Sequence, residues 1–325
     1  MAYYLGIDGG GSKTACAVAD ESSLLATIIA GPSNITRVGE ACAREALQKA
    51  IREACAAAKI APRELHRACI GVAGAGRPEI ADTIRKITSE IIVCELDVVG
   101  DMEIAMAAAF DAGPGLIVIA GTGSIAYGRN AQGKTARAGG WGFAISDEGS
   151  AHWIGRTTTT ALLRAIDQSI GRESLGLGND GQAASDQFAA GALPLFDKLK
   201  AAWDLHTLDE FARIANSNPD FAILFPAILA AAEGGDALAQ RVLKQAGREL
   251  AEIAGMVVRR LFPEDNSVTD IPVATVGGVF HHSPLVRNIF REQVLKLDSR
   301  LQVNSQVIDP VAGAIMMARH GHGKD

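Results

Sequence analysis

Leu5-Gly-Ile-Asp-Gly-Gly-Gly-Ser-Lys-Thr-Ala-Cys-Ala-Val-Ala19 and Leu116-Ile-Val-Ile-Ala-Gly-Thr-Gly-Ser-Ile-Ala-Tyr-Gly128 share one build. Each is an apolar run, a glycine-rich turn bearing hydroxyls, and a second apolar run. Short apolar runs bounded by such turns predict strands. The first copy predicts strands over Tyr3–Asp8, Ala15–Ala19 and Leu24–Ala30, a meander. The second predicts strands over Leu116–Ala120 and Ile125–Gly128, with a further turn at Asn130–Gly133. Two divergent copies of one unit predict two α/β domains of similar build.

Outward from these segments the pattern alternates. Helical periodicity runs over Gly39–Ala58, Glu79–Ile92, Met102–Phe110, Ser150–Ile170 and Leu238–Leu261. Strands are predicted over Ala68–Ala73, Leu96–Gly100 and Ile271–Val276. Gly171–Gly181 predicts a loop, and Ala183–Ala232 mixes helical patterns with Pro-bearing breaks. Asp309 and Pro310 are the cap and first residue of a last helix, Val311–Arg319.

The chain has 325 residues, 48% hydrophobic and 21% charged, with 31 Lys and Arg against 37 Asp and Glu, hence a net charge of −6. That composition predicts a folded chain of about two domains. Without a basic block, nucleic acid and anionic membranes are not expected partners. The opening Met-Ala-Tyr-Tyr has no signal-peptide pattern, and no uncharged apolar run approaches the ~20 residues of a membrane span. The five cysteines, Cys16, Cys42, Cys55, Cys69 and Cys94, form no CxxC pair. They predict reduced thiols in a cytoplasmic protein rather than a disulfide, zinc or iron–sulfur framework.

The chemistry gathers at the turns. Gly9 to Thr14 lacks P-loop spacing, because Ser12 stands between Gly11 and Lys13 and a strand follows. The better reading is a hairpin whose glycines let backbone N–H groups reach an anion. Asp8, at the end of the first strand, could hold Mg²⁺ directly or through water. Gly121-Thr-Gly-Ser124 is a second such hairpin, and Gly277-Gly278 a third glycine-rich strand end. Together they suggest a triphosphate held from two sides. Asp101 ends a predicted strand and could orient a hydroxyl and accept its proton. Each residue also has a structural reading: a helix cap for Asp101, a capping pair for Asp147 and Glu148, a core aromatic for Trp141, a turn residue for Asn34 and a solvated turn for Lys13. The adjacent His281 and His282 read as surface or loop residues.

The segments Leu5–Thr14, Ile119–Ser124 and Val276–Val279 resemble the phosphate-one, phosphate-two and adenosine motifs of the acetate and sugar kinase/heat-shock chaperone/actin superfamily. Gly139-Gly-Trp-Gly-Phe-Ala-Ile-Ser-Asp-Glu-Gly-Ser-Ala-His-Trp-Ile154 is similar to a block of the N-acetylglucosamine kinases, shared with the wider BadF/BadG/BcrA/BcrD ATPase family. The resemblance runs from residue 5 to about 317. It implies an α/β chain of two actin-like (ribonuclease H-like) lobes with mixed sheets and a central nucleotide cleft. The lobes would be 1–114, joined by the C-terminal helix 308–325, and 115–307 with a helical insertion. Asp101 matches the catalytic aspartate. Gly10, Gly11, Ser12, Lys13, Thr14, Gly121, Thr122, Gly123, Gly235, Gly277 and Gly278 match nucleotide contacts. Asn34, Ser124, Gly140, Trp141, Gly142 and Asp147 match sugar contacts, together with Asp101. Asp8 matches the metal carboxylate, at a position where eukaryotic relatives can carry glutamate.

The implied function is ATP- and Mg²⁺-dependent phosphorylation of an amino sugar, first N-acetylglucosamine to its 6-phosphate, with glucosamine or N-acetylmuramate as alternatives. The implied assembly is a homodimer. An ATPase activase of an acyl-CoA dehydratase or reductase is the alternative of a different class. It would need cluster-binding cysteines late in the chain, where there are none after Cys94. A chaperone or actin-like assembly protein would need insertions for which there is little room. A sugar-responsive repressor would need a DNA-binding segment before Tyr3.

Overall fold

The computed structural model describes residues 1–174, 194–263 and 269–321. Its first sheet holds β1 (Tyr3–Gly9), β2 (Thr14–Ala19), β3 (Leu24–Ala30), β4 (Leu65–Val72) and β5 (Glu95–Gly100), in the order β3-β2-β1-β4-β5. The second holds β6 (Gly115–Ala120), β7 (Ser124–Arg129), β8 (Thr135–Gly139), β9 (Ile271–Val276) and β10 (Leu301–Ile308), in the order β10-β9-β6-β7-β8. In each sheet three antiparallel meander strands are followed by two parallel ones. The two topologies are the same, as the repeated hairpin predicts. This is the actin-like fold.

Helices cover the sheets. In chain order they are α1 (Ile35–Ala57), α2 (Pro78–Ser89), α3 (Asp101–Phe110), α4 (Ala151–Ser174), α5 (194–202), α6 (Leu208–Asn216), α7 (Phe225–Glu233), α8 (Ala237–Leu261), α9 (Gly278–His282), α10 (Pro284–Leu297) and α11 (Pro310–His320). α1 and α2 bury Leu47, Ile51, Ile84 and Ile87 against Leu5, Ile7 and Ile70 of the first sheet. α11 lies on the opposite face, where Val311 and Ile315 meet Ala15, Ala17 and Ala19. α8 and α10 build the larger core over the second sheet. Among the described residues no single helix is long and apolar enough to cross a membrane, and all five cysteines are free.

Several expected boundaries move. α1 starts at Ile35, not Gly39, because Asn34 Oδ1 accepts the Thr36 N–H at 3.1 Å and caps it. Gly39, at φ 77°, then kinks the helix. α2 ends at Ser89, short of Ile92. β8, α10 and β10 carry no prediction: their half-exposed strands and mixed helix lack a clean period. Helix α4 continues through Gly171–Ser174, where a loop was predicted, and the rest of Gly171–Gly181 lies outside the described residues. So does the start of the Ala183–Ala232 stretch.

Candidate active site

The ends of β1, β4 and β5 lie in one row, since Gly9 pairs with Val72 and Val72 with Gly100. Asp8 and Asp101 flank that row, at the carboxyl edge where parallel strands present ligand-binding residues. Asp101 is the first residue of α3, and Gly100 is its N-cap. Glu103 Oε1 accepts the Gly100 N–H at 3.2 Å. The cap reading of Asp101 therefore fails. Its Oδ1 accepts the adjacent Met102 N–H at 3.0 Å. Burial pushes Asp101 up to about 6, opposed by that N–H bond.

Asp8 is pushed up to about 7, first by burial, then by the charges of Asp101 and Asp309, with Lys13 pulling it down. Asp309 was legible only as a cap. It does accept the Val311 N–H at 3.3 Å, but it also brings a third carboxylate to the cleft. Among the described residues no three His, Cys, Asp or Glu groups are set to hold a metal by themselves. Mg²⁺ commonly uses one or two carboxylates and completes its shell with phosphate oxygens and water. Asp8 fits that use, because a divalent cation would relieve its repulsion with Asp101.

The two hairpins meet. Ser12 Oγ and Thr122 Oγ1 are 2.6 Å apart although 110 residues separate them. A side chain at Gly11 would stand 3.2 Å from Thr122 Cβ. Gly10 N–H closes the first turn on Lys13 O at 2.9 Å, and Gly121 N–H closes the second on Gly123 O at 2.9 Å. Gly277 has φ 101°, and a Cβ there would lie 2.5 Å from Ala120 O, so only glycine lets this strand end press against the second hairpin. Gly278 opens α9 beside it. Three glycine turns thus border one cleft. Lys13 is exposed. Gly235, at φ 92°, lies in the α7–α8 turn, where the turn alone accounts for a glycine.

The 139–150 loop is bent by left-handed residues at Gly139, Gly140, Gly142, Asp147 and Gly149. Asp147 alone among them carries a side chain, at φ 66°, and it is 7% exposed. Strain of that kind persists where surroundings hold it, often at functional sites. Its Oδ1 accepts the Gly142 N–H at 3.4 Å, and burial raises its pKa. The capping-pair reading fails, because Ser150 Oγ accepts the Trp153 N–H and caps α4. Trp141 is 66% exposed and lies under the Arg137 guanidinium at 4.7 Å, so it is no core aromatic. Asn34 stays next to the first hairpin, its N–H donating to Gly10 O at 3.2 Å.

The hydroxyls of two expected contact residues make internal ties. Thr14 is fully buried. Its hydroxyl donates to Gly31 O at 2.7 Å and lies 2.8 Å from Ser33 Oγ, so it shapes the hairpin. Ser124 is 4% exposed and donates to Glu148 O at 2.7 Å, fixing the loop that carries Asp147. His281 and His282 are exposed, but they end a short helix rather than lying in a loop.

The model of the BadF/BadG/BcrA/BcrD ATPase family matches residues 5–318. The chain belongs to that family. It is 33% identical over 324 residues to an N-acetylmuramic acid/N-acetylglucosamine kinase of Clostridium acetobutylicum, covering 98% of this chain and 99% of the relative. It is 24% identical to an N-acetyl-D-glucosamine kinase of Dictyostelium discoideum, over 97% of each chain. A crystal structure of a putative N-acetylglucosamine kinase from Chromobacterium violaceum aligns with a TM-score of 0.66 and 25% identity, over 98% of this chain and 99% of that one. The ROK family glucokinase of Streptomyces griseus, solved with glucose and AMPPNP, aligns at 0.59 and 16% identity, over 98% of this chain and all of that one. The last likeness is one of fold.

Proposed function

We propose that the protein is an ATP-dependent kinase that transfers a phosphoryl group to a hydroxyl of an amino sugar, N-acetylglucosamine being the first candidate and its 6-phosphate the product. One observation carries this reading: two matching hairpins meet at Ser12 and Thr122, the first of them following the strand whose Asp8 feels the charge of Asp101, in a chain whose curated relatives are amino-sugar kinases.

In this reading the Gly10–Lys13 and Gly121–Gly123 turns cradle the triphosphate with backbone N–H groups. Asp8 holds Mg²⁺, which would neutralise charge on the phosphate oxygens. Asp101 accepts the proton of the attacking hydroxyl, and a pKa near 6 leaves it mostly ionised at neutral pH. Asp147 and the Gly140–Gly142 backbone hold the ring hydroxyls. The two sheets head lobes of about 1–114 and 115–307, with α11 returning to the first. A homodimer and a cytoplasmic location complete the reading. The test is ADP release from ATP and Mg²⁺ with N-acetylglucosamine, glucosamine, N-acetylmuramate, N-acetylmannosamine and glucose. Release stimulated by an N-acetylated amino sugar is expected. Equal release with and without every sugar would overturn the proposal.

A further inference from the structure

A cavity of about 460 Å³ opens beside the paired hairpins. Gly11 and Ser12 of the first turn line it, with Arg37, Phe143, His152 and Asp220 among others. The second turn is close by, since the His152 N–H donates to Thr122 O at 3.3 Å. On the amino-sugar kinase reading both turns serve phosphates, so the cavity continues the phosphate site. Arg37 in its wall is a charged group to which that reading gives no role.

Arg37 lies in the first turn of α1, and its stem rests on the first hairpin. A Cβ at Gly11 would stand 3.1 Å from Arg37 Cδ and 3.2 Å from Thr122 Cβ. The guanidinium lies over the Phe143 ring, Cζ 6.0 Å from its centroid. It is mostly buried and pairs through Nη2 with Asp220 Oδ1. Asp220 is itself fixed, its Oδ1 accepting the Ala222 N–H at 3.0 Å, so it holds one edge of the fork. Among the described residues no hydrogen bond takes up Arg37 Nε or Nη1. A mostly buried guanidinium with two nitrogens unspent calls for an acceptor. Two cations thus attend the first hairpin, each with its own carboxylate. Lys13 acts on Asp8, the metal carboxylate of the reading. Arg37 acts on Asp147, the sugar carboxylate, where it opposes the burial that raises the pKa. Arg37 therefore touches the phosphate turn with its stem and reaches the sugar carboxylate with its charge. That is the junction at which a terminal phosphoryl group passes to a sugar, and a planar fork of N–H groups matches phosphate oxygens.

We propose that Arg37 is a further catalytic residue, a clamp that donates to the terminal phosphoryl group of ATP and stabilises its charge during transfer. The inference rests on the kinase reading and adds a residue to its chemistry. In the transfer the sugar hydroxyl oxygen bonds to the terminal phosphorus as the bond from that phosphorus to the bridging oxygen breaks. The bridging oxygen leaves with the electron pair as part of ADP, and Asp101 takes the hydroxyl proton. Arg37 gives up no proton. Its Nε and Nη1 hydrogens meet the non-bridging oxygens, on which charge spreads in the transition state.

The test sets nucleotide affinity beside turnover in the wild type, Arg37→Met, Arg37→Lys and Asp220→Asn. Calorimetry with Mg²⁺ compares ADP with AMPPNP, which adds a terminal phosphoryl group that is not transferred. Arg37→Met should weaken AMPPNP by about 10–100-fold, change ADP by less than about twofold, and lower kcat by about 10²–10³-fold. Arg37→Lys keeps the charge but not the fork and should lose less of each. Asp220→Asn leaves the fork in place and should lose far less kcat than Arg37→Met. Melting temperatures show whether each variant folds, and Arg37→Lys carries the test if Arg37→Met does not. Equal weakening of ADP and AMPPNP, or of neither, overturns the clamp. So does an equal loss of kcat in Arg37→Met and Asp220→Asn, which would make the ion pair a tie between the two sheets and nothing more. A wild type that binds neither nucleotide overturns the kinase reading with it.

Discussion

Asp8 and Asp101 sit at the carboxyl ends of β1 and β5, yet removing each should look different. A general base contributes about 10²–10⁴-fold in rate. Asp101→Asn should therefore lower kcat by that factor, leave ATP affinity nearly unchanged and leave the melting temperature close to wild type, because Gly100 and Glu103 already cap α3. Near-normal kcat would remove Asp101 from the chemistry. Asp8 should trade stability against function. Its folded-state pKa of about 7 lies above the unfolded 3.8, so the folded protein binds the extra proton between these values. Stability is then fully present below about pH 4 and falls as pH rises towards 7. In chelator at pH 8, Asp8→Asn should melt higher than wild type, and the gain should shrink as pH is lowered from 7 to 4. Its Mg²⁺-supported turnover should nevertheless collapse. A lower melting temperature at pH 8 would contradict the burial of a charged Asp8.

At the scale of elements, the close approaches are where substitution bites. Gly277→Ala puts a Cβ 2.5 Å from Ala120 O at φ 101°. The variant should lose about 1–3 kcal/mol of stability and raise the KM for ATP more than that for sugar, because the strain falls on the second hairpin. Equal changes in both KM values would contradict that placement. In α11, a side chain at Gly313 would strike Ile104 O of α3. Gly313→Ala should lower the melting temperature sharply, read by thermal unfolding. Of these elements the hairpins were legible from sequence, because a glycine turn between apolar runs is a local signal. So was α11, from Asp309 and Pro310. The strands β8 and β10 were not, because their residues alternate poorly and their pairing is decided by distant partners. The same limit hid the cavity: Arg37 and Asp220 are 183 residues apart, and nothing local in either segment announces the other. The internal ties of the Thr14 and Ser124 hydroxyls were hidden for a related reason. A hydroxyl in a glycine turn reads as a ligand contact until its burial is known.

Over the whole molecule, two sheets of equal topology meet where Ser12 faces Thr122. Sugar binding between them should close the cleft and exclude water, so ATP is spent on the sugar rather than hydrolysed. The repeated build explains why two short glycine turns foretold two units of similar build, each with a meander. The measurement that bears most directly on this is the yield of phosphorylated sugar per ATP consumed, followed by phosphorus NMR with N-acetylglucosamine and Mg²⁺. One 6-phosphomonoester per ATP, with slow consumption when sugar is omitted, is the expected result. ATP consumed at the same rate without sugar, giving inorganic phosphate and no sugar phosphate, would contradict it.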